Sequence, residues 1–108
     1  MYRNMLVGLD GSAAGRQALE VALDLAKVGG GAVSVISVVE KLSAYAATVG
    51  EVEETRQQFE KYYHRLQEAA LVRAKQVGVP LHGVIQAGNA AQVIARHADH
   101  DGFDLIVR

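Results

Sequence analysis

Short apolar runs alternate with helical repeats along this chain of 108 residues, and this alternation limits the fold more than any other feature. An apolar run of a few residues bounded by turn residues is typical of a strand buried on both faces. Apolar residues that recur every three or four positions are typical of a helix packed along one side. The predicted strands are residues 5–9, 32–39, 81–87 and 103–107, and the predicted helices are residues 13–28, 53–77 and 90–100.

The long second helix carries an apolar stripe that predicts its inner side. No clean period precedes it at residues 41–52, which predicts a loop with at most a helical turn. Gly78 and Pro80 are typical of the end of a helix. The predicted inner residues are Phe59, Tyr62, Tyr63, Leu66, Ala70, Ala74 and Val77.

Strands that alternate with helices predict an α/β fold with an open, doubly wound parallel sheet. Right-handed crossovers that step in one direction place their helices on one face of the sheet. A reversal after the third strand gives the order 3-2-1-4, with the first two helices on one face and the third on the other. Ligands in such sheets bind beyond the carboxyl ends of the strands at the reversal, here strands one and four. Residues 10–12 (Asp-Gly-Ser) would form one lip of that crevice.

Composition indicates one domain over residues 1–108 and disfavours nucleic acids and membranes as partners. Half of the residues are apolar, which is enough for a buried core. Eleven basic residues stand against twelve acidic ones, so no basic surplus favours nucleic acid or a membrane surface. The chain has no cysteine, long apolar span or signal-peptide pattern, and we therefore expect a cytoplasmic protein.

The Asp-Gly-Ser turn supports both a ligand-binding and a structural interpretation. Asp10 could contact a ligand or serve the turn and the helix cap, and capping is favoured for Ser12. Gly11 and Gly88 are expected to serve backbone geometry. His97 and His100, beside Asp99 and Asp101, have a spacing that a metal tolerates, but a solvated surface is the favoured interpretation and no metal site is predicted. No phosphate-loop, dinucleotide or nucleophile motif occurs, so no catalytic residue is predicted.

Several segments in order resemble the amino-terminal part of a universal stress protein domain. They are Leu6–Ser12 with Ala18-Leu19, Ala22-Leu23 and Leu25-Ala26, then Val35–Val39, then Gly88–Ala91 with Val93-Ile94 and Ala98, and finally Asp104–Val107. The resemblance implies an open five-stranded α/β sheet and, in many members, ATP binding. It implies that Asp10 contacts the adenosine part, with Gly11 and Ser12 in the same site, and that the backbone near Val38 and Val39 borders the adenine.

The chain departs from that family beyond its fourth predicted strand. ATP-binding members continue with a glycine-rich loop of the form G-x-x-G followed by G-S or G-T, whose backbone amides hold the phosphates. That loop and the fifth strand are missing here, so the chain is either a fragment of a longer product or a member that has lost nucleotide binding. We expect ATP as cofactor in a longer form, and weak or no ATP binding by these 108 residues.

Two functions from different classes follow. The first is a nucleotide-responsive stress-response module, with a weak ATPase activity at most. The alternative is a nucleotide-independent interaction or scaffold protein of the same fold that lacks the phosphate loop. In both, the fourth strand presents unpaired backbone groups at a sheet edge, which favours a homodimer or a higher assembly.

Overall fold

The computed structural model describes residues 3–39, 49–100, 102–103 and 105–107, which form seven elements in the predicted order. The strands are β1 (Asn4–Gly8), β2 (Ala32–Val39), β3 (Leu81–Ala87) and β4 (Leu105–Val107). The helices are α1 (Ala13–Gly29), α2 (Val49–Val77) and α3 (Ala90–His100). The strand at the carboxyl end is shorter than the predicted 103–107, and Asp104 lies outside the described residues.

The four strands form one parallel sheet with the order β3-β2-β1-β4, as the sequence predicts. Met5 is in register with Val33 of β2 and with Leu105 of β4. Val33 is in turn in register with Leu81 of β3. Because all strands run in one direction, their carboxyl ends share one edge of the sheet.

Local signals explain the bounds of α1. The Ser12 side chain accepts a hydrogen bond from the backbone N–H of Gly15 at 3.1 Å, which caps the amino end. Gly30 ends the helix in the left-handed region at φ 70°, a conformation that costs glycine little. The residues of its buried side are Gly15, Ala18, Leu19, Ala22, Leu23 and Ala26.

Alternate residues of the strands pack against helices on opposite faces. Met5 and Val7 of β1 belong to a core shared with α1 and α2. Leu6, between them, belongs to a second core in which Val93 of α3 is buried. The first two helices therefore cover one face and α3 covers the other, as predicted.

The prediction for α2 is correct for its carboxyl end and wrong for its start. Ala70 and Ala74 are buried, but Phe59 and Tyr62, which were expected on the inner side, are 41% and 45% exposed. The helix begins at Val49 rather than near residue 53, while residues 41–48 of the expected loop lie outside the described residues. A helix of 29 residues spans about 43 Å, whereas the eight-residue β2 spans about 26 Å, so part of α2 extends past the sheet.

Candidate functional site

A cleft of about 230 Å³ opens at the carboxyl ends of β1 and β2, between the amino ends of α1 and α3. Ile36, Val38 and Ile94 give it apolar walls, and among the lining residues that the structure describes Asp10 is the one that is ionisable. The described lining residues are Gly8, Leu9, Asp10, Ser12, Ala14, Gly15, Ile36, Val38, Ala90 and Ile94.

The Asp10 carboxylate is held by the turn that follows β1. Its Oδ1 accepts a hydrogen bond from the backbone N–H of Ser12 at 2.9 Å. Hydrogen bonds from the Ser12 hydroxyl and from that N–H lower the pKa of Asp10, although partial desolvation opposes them. The lowered pKa keeps the Asp10 carboxylate ionised at neutral pH, and because Asp10 is exposed, the carboxylate is accessible to a ligand that donates hydrogen bonds.

Two helices direct their amino ends toward the cleft. α1 begins after Ser12, and its residues Ala14 and Gly15 line the cleft. α3 begins after Asn89, whose Oδ1 accepts a hydrogen bond from the N–H of Gln92 at 3.2 Å, as expected for a cap. Unpaired N–H groups at helix amino ends carry partial positive charge, so these two helix ends favour hydrogen bonds to neutral acceptor atoms of a ligand, while the Asp10 carboxylate opposes the approach of anionic groups.

Gly15 lets the turn and α1 approach each other closely. A Cβ atom at this position would lie 3.2 Å from Asp10 Oδ1 and 3.3 Å from the carbonyl oxygen of Gly8. Both distances are shorter than an ordinary van der Waals contact, so a side chain here would displace the Asp10 carboxylate. Gly8 is less crowded, since a Cβ there would lie 3.5 Å from Ile94 Cδ1.

The residues predicted for the site separate into two groups. Asp10, Ser12 and Val38 line one cleft, whereas Gly11 and Val39 do not. Gly11 has φ 88° and faces α2. Val39 is buried, and its carbonyl oxygen accepts a hydrogen bond from the N–H of Gly88 at 3.0 Å.

The cleft also differs in position from the predicted crevice. The sequence predicted a space between strands one and four, whereas the lining residues that the structure describes come from β1 and the turn after it, β2, α1 and α3. Seven of the lining residues were not predicted as site residues: Gly8, Leu9, Ala14, Gly15, Ile36, Ala90 and Ile94. For Ala14, Gly15 and Ala90 the available signal was the small residues that open α1 and α3, because small side chains leave room for a ligand beside a helix amino end.

His97 takes part in a polar contact away from the cleft. Its Nε2 lies 2.6 Å from Oε1 of Gln86, on the neighbouring β3. Within the residues that the structure describes, no group of three or more His, Asp or Glu side chains could hold a metal ion. The same residues include no helix long and apolar enough to cross a membrane.

Comparison with known proteins identifies a family. The model of the universal stress protein family matches residues 1–107. A crystal structure of a family protein from Burkholderia pseudomallei is 25% identical, covers 97% of this chain and 79% of its own, and superposes with a TM-score of 0.82. No protein with curated annotation matches at a significant level.

Two further solved structures share the fold and carry nucleotides. A universal stress protein in complex with cAMP is 20% identical, with a TM-score of 0.75 over 98% of this chain and 75% of its own. An Arabidopsis thaliana family protein with AMP bound is 17% identical, with a TM-score of 0.68 over 98% of this chain and 76% of its own. At these identities the likeness establishes the fold.

Proposed function

Because this chain belongs to the universal stress protein family, we propose that it is a stress-response module that binds an adenine nucleotide in the cleft beside Asp10. The observation that carries this proposal is the accessible Asp10 carboxylate placed next to apolar walls at the carboxyl edge of a parallel sheet. Open α/β sheets bind ligands at this edge. The cAMP and AMP complexes of two structural relatives agree with this ligand class.

Each part of a nucleoside has a matching surface in the cleft. Ile36, Val38 and Ile94 offer apolar contacts to a base, and the end of β2 at Val38 would border its edge. Asp10 is positioned to accept hydrogen bonds from ribose hydroxyls, which are donors that an ionised carboxylate binds well. In this arrangement Gly11 and Val39 support the site from behind the cleft rather than from its wall.

The cleft suits the nucleoside better than a triphosphate. Its volume of about 230 Å³ lies below the roughly 300–1,000 Å³ of pockets that enclose a whole drug-sized ligand. None of its described lining residues is Lys or Arg, and Asp10 repels phosphates. We therefore expect these 108 residues to bind adenosine or AMP in preference to ATP, and ATP binding to require further phosphate-holding groups.

We further infer that occupancy of the cleft acts on assembly. A ligand shifts an equilibrium only when it binds two states with different affinity. Such a difference would arise if the Asp10 turn had one conformation in the free protomer and another in a homodimer or higher assembly.

Calorimetric titration with adenosine, AMP and ATP tests the proposal. We expect AMP and adenosine to bind, and ATP to show a dissociation constant above about 10 μM, which corresponds to roughly 7 kcal/mol. Asp10→Ala should weaken AMP binding at least tenfold, since a hydrogen bond to a charged group contributes about 1.5–3 kcal/mol. Thermal unfolding should report a native fold for this variant.

Asp24→Ala is the matched control, because Asp24 is an exposed aspartate of α1 that does not line the cleft. Its AMP affinity should equal that of the wild type. If Asp10→Ala binds AMP as tightly as this control, Asp10 is only a turn residue. If no adenine nucleotide or nucleoside binds the wild type, the proposed function is wrong for this chain and the interaction or scaffold protein is favoured.

A further inference from the structure

The turn that carries Asp10 is supported from behind by α2. A Cβ atom added at Gly11 would overlap the hydroxyl oxygen of Tyr62 and lie 3.1 Å from its Cζ. The Tyr62 ring therefore lies against the turn on the side away from the cleft, which Tyr62 does not line. Gly11 adopts φ 88°, which favours glycine. Because Gly11 has no side chain, the Tyr62 ring can occupy the space behind it.

A second contact from the same helix reaches the residue before Asp10. Gln67 Nε2 donates hydrogen bonds to Ser37 Oγ at 3.2 Å and to the carbonyl oxygen of Val84 at 2.8 Å. The Ser37 hydroxyl, which is 1% exposed, donates to the carbonyl oxygen of Leu9 at 2.7 Å. This chain of hydrogen bonds links α2 through β2 to the end of β1.

Close packing leaves Gln67 little freedom to move away from that network. A Cβ atom at Gly83 would overlap Gln67 Oε1 and lie 3.1 Å from its Cδ, so the amide lies directly over the β3 backbone. Hydrogen bonds of buried groups such as Ser37 Oγ are costly to break, because no water replaces the lost partner.

The two contacts meet the residues on either side of Asp10, namely Leu9 and Gly11. We propose that Tyr62 and Gln67 are positioning residues of the nucleotide site, which hold the Asp10 turn (residues 9–12) from the face opposite the ligand. This inference rests on the proposed function, since it assigns the two side chains a role in nucleotide affinity. Neither residue touches the ligand in this arrangement, and both act by fixing the direction of the Asp10 carboxylate.

Tyr62→Ala is the informative variant, and Tyr62→Phe should rescue it. Removing the ring frees the space behind Gly11, and AMP affinity should fall about tenfold, which corresponds to about 1.4 kcal/mol. The described contact with Gly11 involves the ring as well as the hydroxyl, so phenylalanine should restore wild-type affinity. Phe59→Ala is the matched control, because Phe59 is an aromatic residue of α2 with a similar exposure of 41%.

Gln67→Ala tests the second contact independently. It removes the donor to Ser37 Oγ and leaves the cleft lining unchanged, so AMP affinity should again fall. Unfolding by urea distinguishes a folded protein with weakened binding from a protein that has lost its fold.

Amide hydrogen exchange without ligand gives the second readout. The N–H groups of Ser12 and Gly15 are bonded within the turn, to Asp10 Oδ1 and Ser12 Oγ. Their exchange should accelerate in Tyr62→Ala and stay at the wild-type rate in Tyr62→Phe and Phe59→Ala. Exchange in the middle of β2, at Val35, should be the same in all variants, because this residue lies away from the turn.

The outcomes separate the inference from the function on which it rests. If the wild type binds AMP and Tyr62→Ala binds it equally well, the positioning role is wrong, whatever the exchange rates. If the wild type binds no adenine nucleotide, the proposed function fails and the role in affinity fails with it. Unchanged exchange at Ser12 and Gly15 in Tyr62→Ala would then also show that the ring does not hold the turn.

Discussion

Asp10 combines a turn contact with an exposed charge. Its Oδ1 accepts the Ser12 N–H, and hydrogen bonds from the Ser12 hydroxyl and N–H keep the pKa of Asp10 below its ordinary value of 3.8. Ser12 in turn accepts from the N–H of Gly15, so its hydroxyl proton is free to point toward the carboxylate. The carboxylate offered to a ligand and the cap of α1 are therefore one connected group of atoms.

This arrangement predicts how stability depends on pH. A group whose pKa is lowered in the folded state stabilises that state above its unfolded pKa, and the contribution is lost as the pH falls through the folded value. Asp10→Asn keeps the oxygen that accepts the Ser12 N–H but removes the charge. The stability advantage of the wild type over Asp10→Asn should be constant near neutral pH and shrink below about pH 4, near the ordinary aspartate pKa.

Urea denaturation at a series of pH values measures this difference. Ser12→Ala supplies a comparison, because it removes the hydroxyl that contributes most to lowering the pKa of Asp10. Its pH profile should lie between those of the wild type and Asp10→Asn. A wild-type advantage over Asp10→Asn that does not change with pH would mean that the folded state does not favour the ionised carboxylate.

Small residues set how closely the helices pack on the sheet. α1 buries Ala18, Ala22 and Ala26, and α2 buries Ala70 and Ala74 in the same core. With only a methyl group on these positions, the helix backbones lie near the strands. The same closeness brings Gln67 within hydrogen-bond distance of the β2 and β3 atoms that it contacts.

Ala74→Leu should therefore destabilise the protein. Ala74 is fully buried, and a larger side chain forced into a packed core costs about 1–3 kcal/mol. Val72→Leu is the control on the same helix, since Val72 is 57% exposed and surface changes stay within about 0.5 kcal/mol. Equal urea midpoints for the two variants would contradict close packing of α2.

Most elements could be predicted because their signals are local. Ser12 before a run of alanines and Gly30 after it define α1 without reference to any distant residue. The exposed faces of Phe59 and Tyr62 could not be predicted in this way. An apolar stripe indicates which side of a helix turns inward, but whether a strand lies beneath that side depends on the relative lengths of helix and sheet.

The candidate site also contains residues that local sequence signals predict and residues that they do not. Asp10 and Ser12 follow directly from the end of β1, so the pattern of strand and turn is enough to predict them. Ala90 and Ile94 reach the cleft only because α3 packs across β2, which no local pattern specifies. The contact between Tyr62 and Gly11 joins residues far apart in the chain and depends equally on tertiary packing.

The position of β4 in the sheet bears on how whole molecules associate. β4 pairs with β1, and among the described residues no strand pairs with its other side. Ile106 is in register with Leu6, on the face that α3 covers, and is 38% exposed. An apolar side chain beside unpaired backbone groups favours pairing with a second chain.

We therefore predict that these 108 residues form a homodimer or a higher assembly through the β4 edge or the adjoining face. Ile106→Lys should shift the protein toward the monomer, because a lysine on an edge strand must lose its hydration when another strand pairs there. Val21→Lys is the control, since Val21 is an exposed apolar residue of α1, on the opposite face of the sheet. Light scattering over a range of concentrations should show assembly for the wild type and for Val21→Lys. A monomeric wild type would contradict the predicted assembly. An Ile106→Lys variant that assembles as the wild type does would mean that the association surface lies elsewhere.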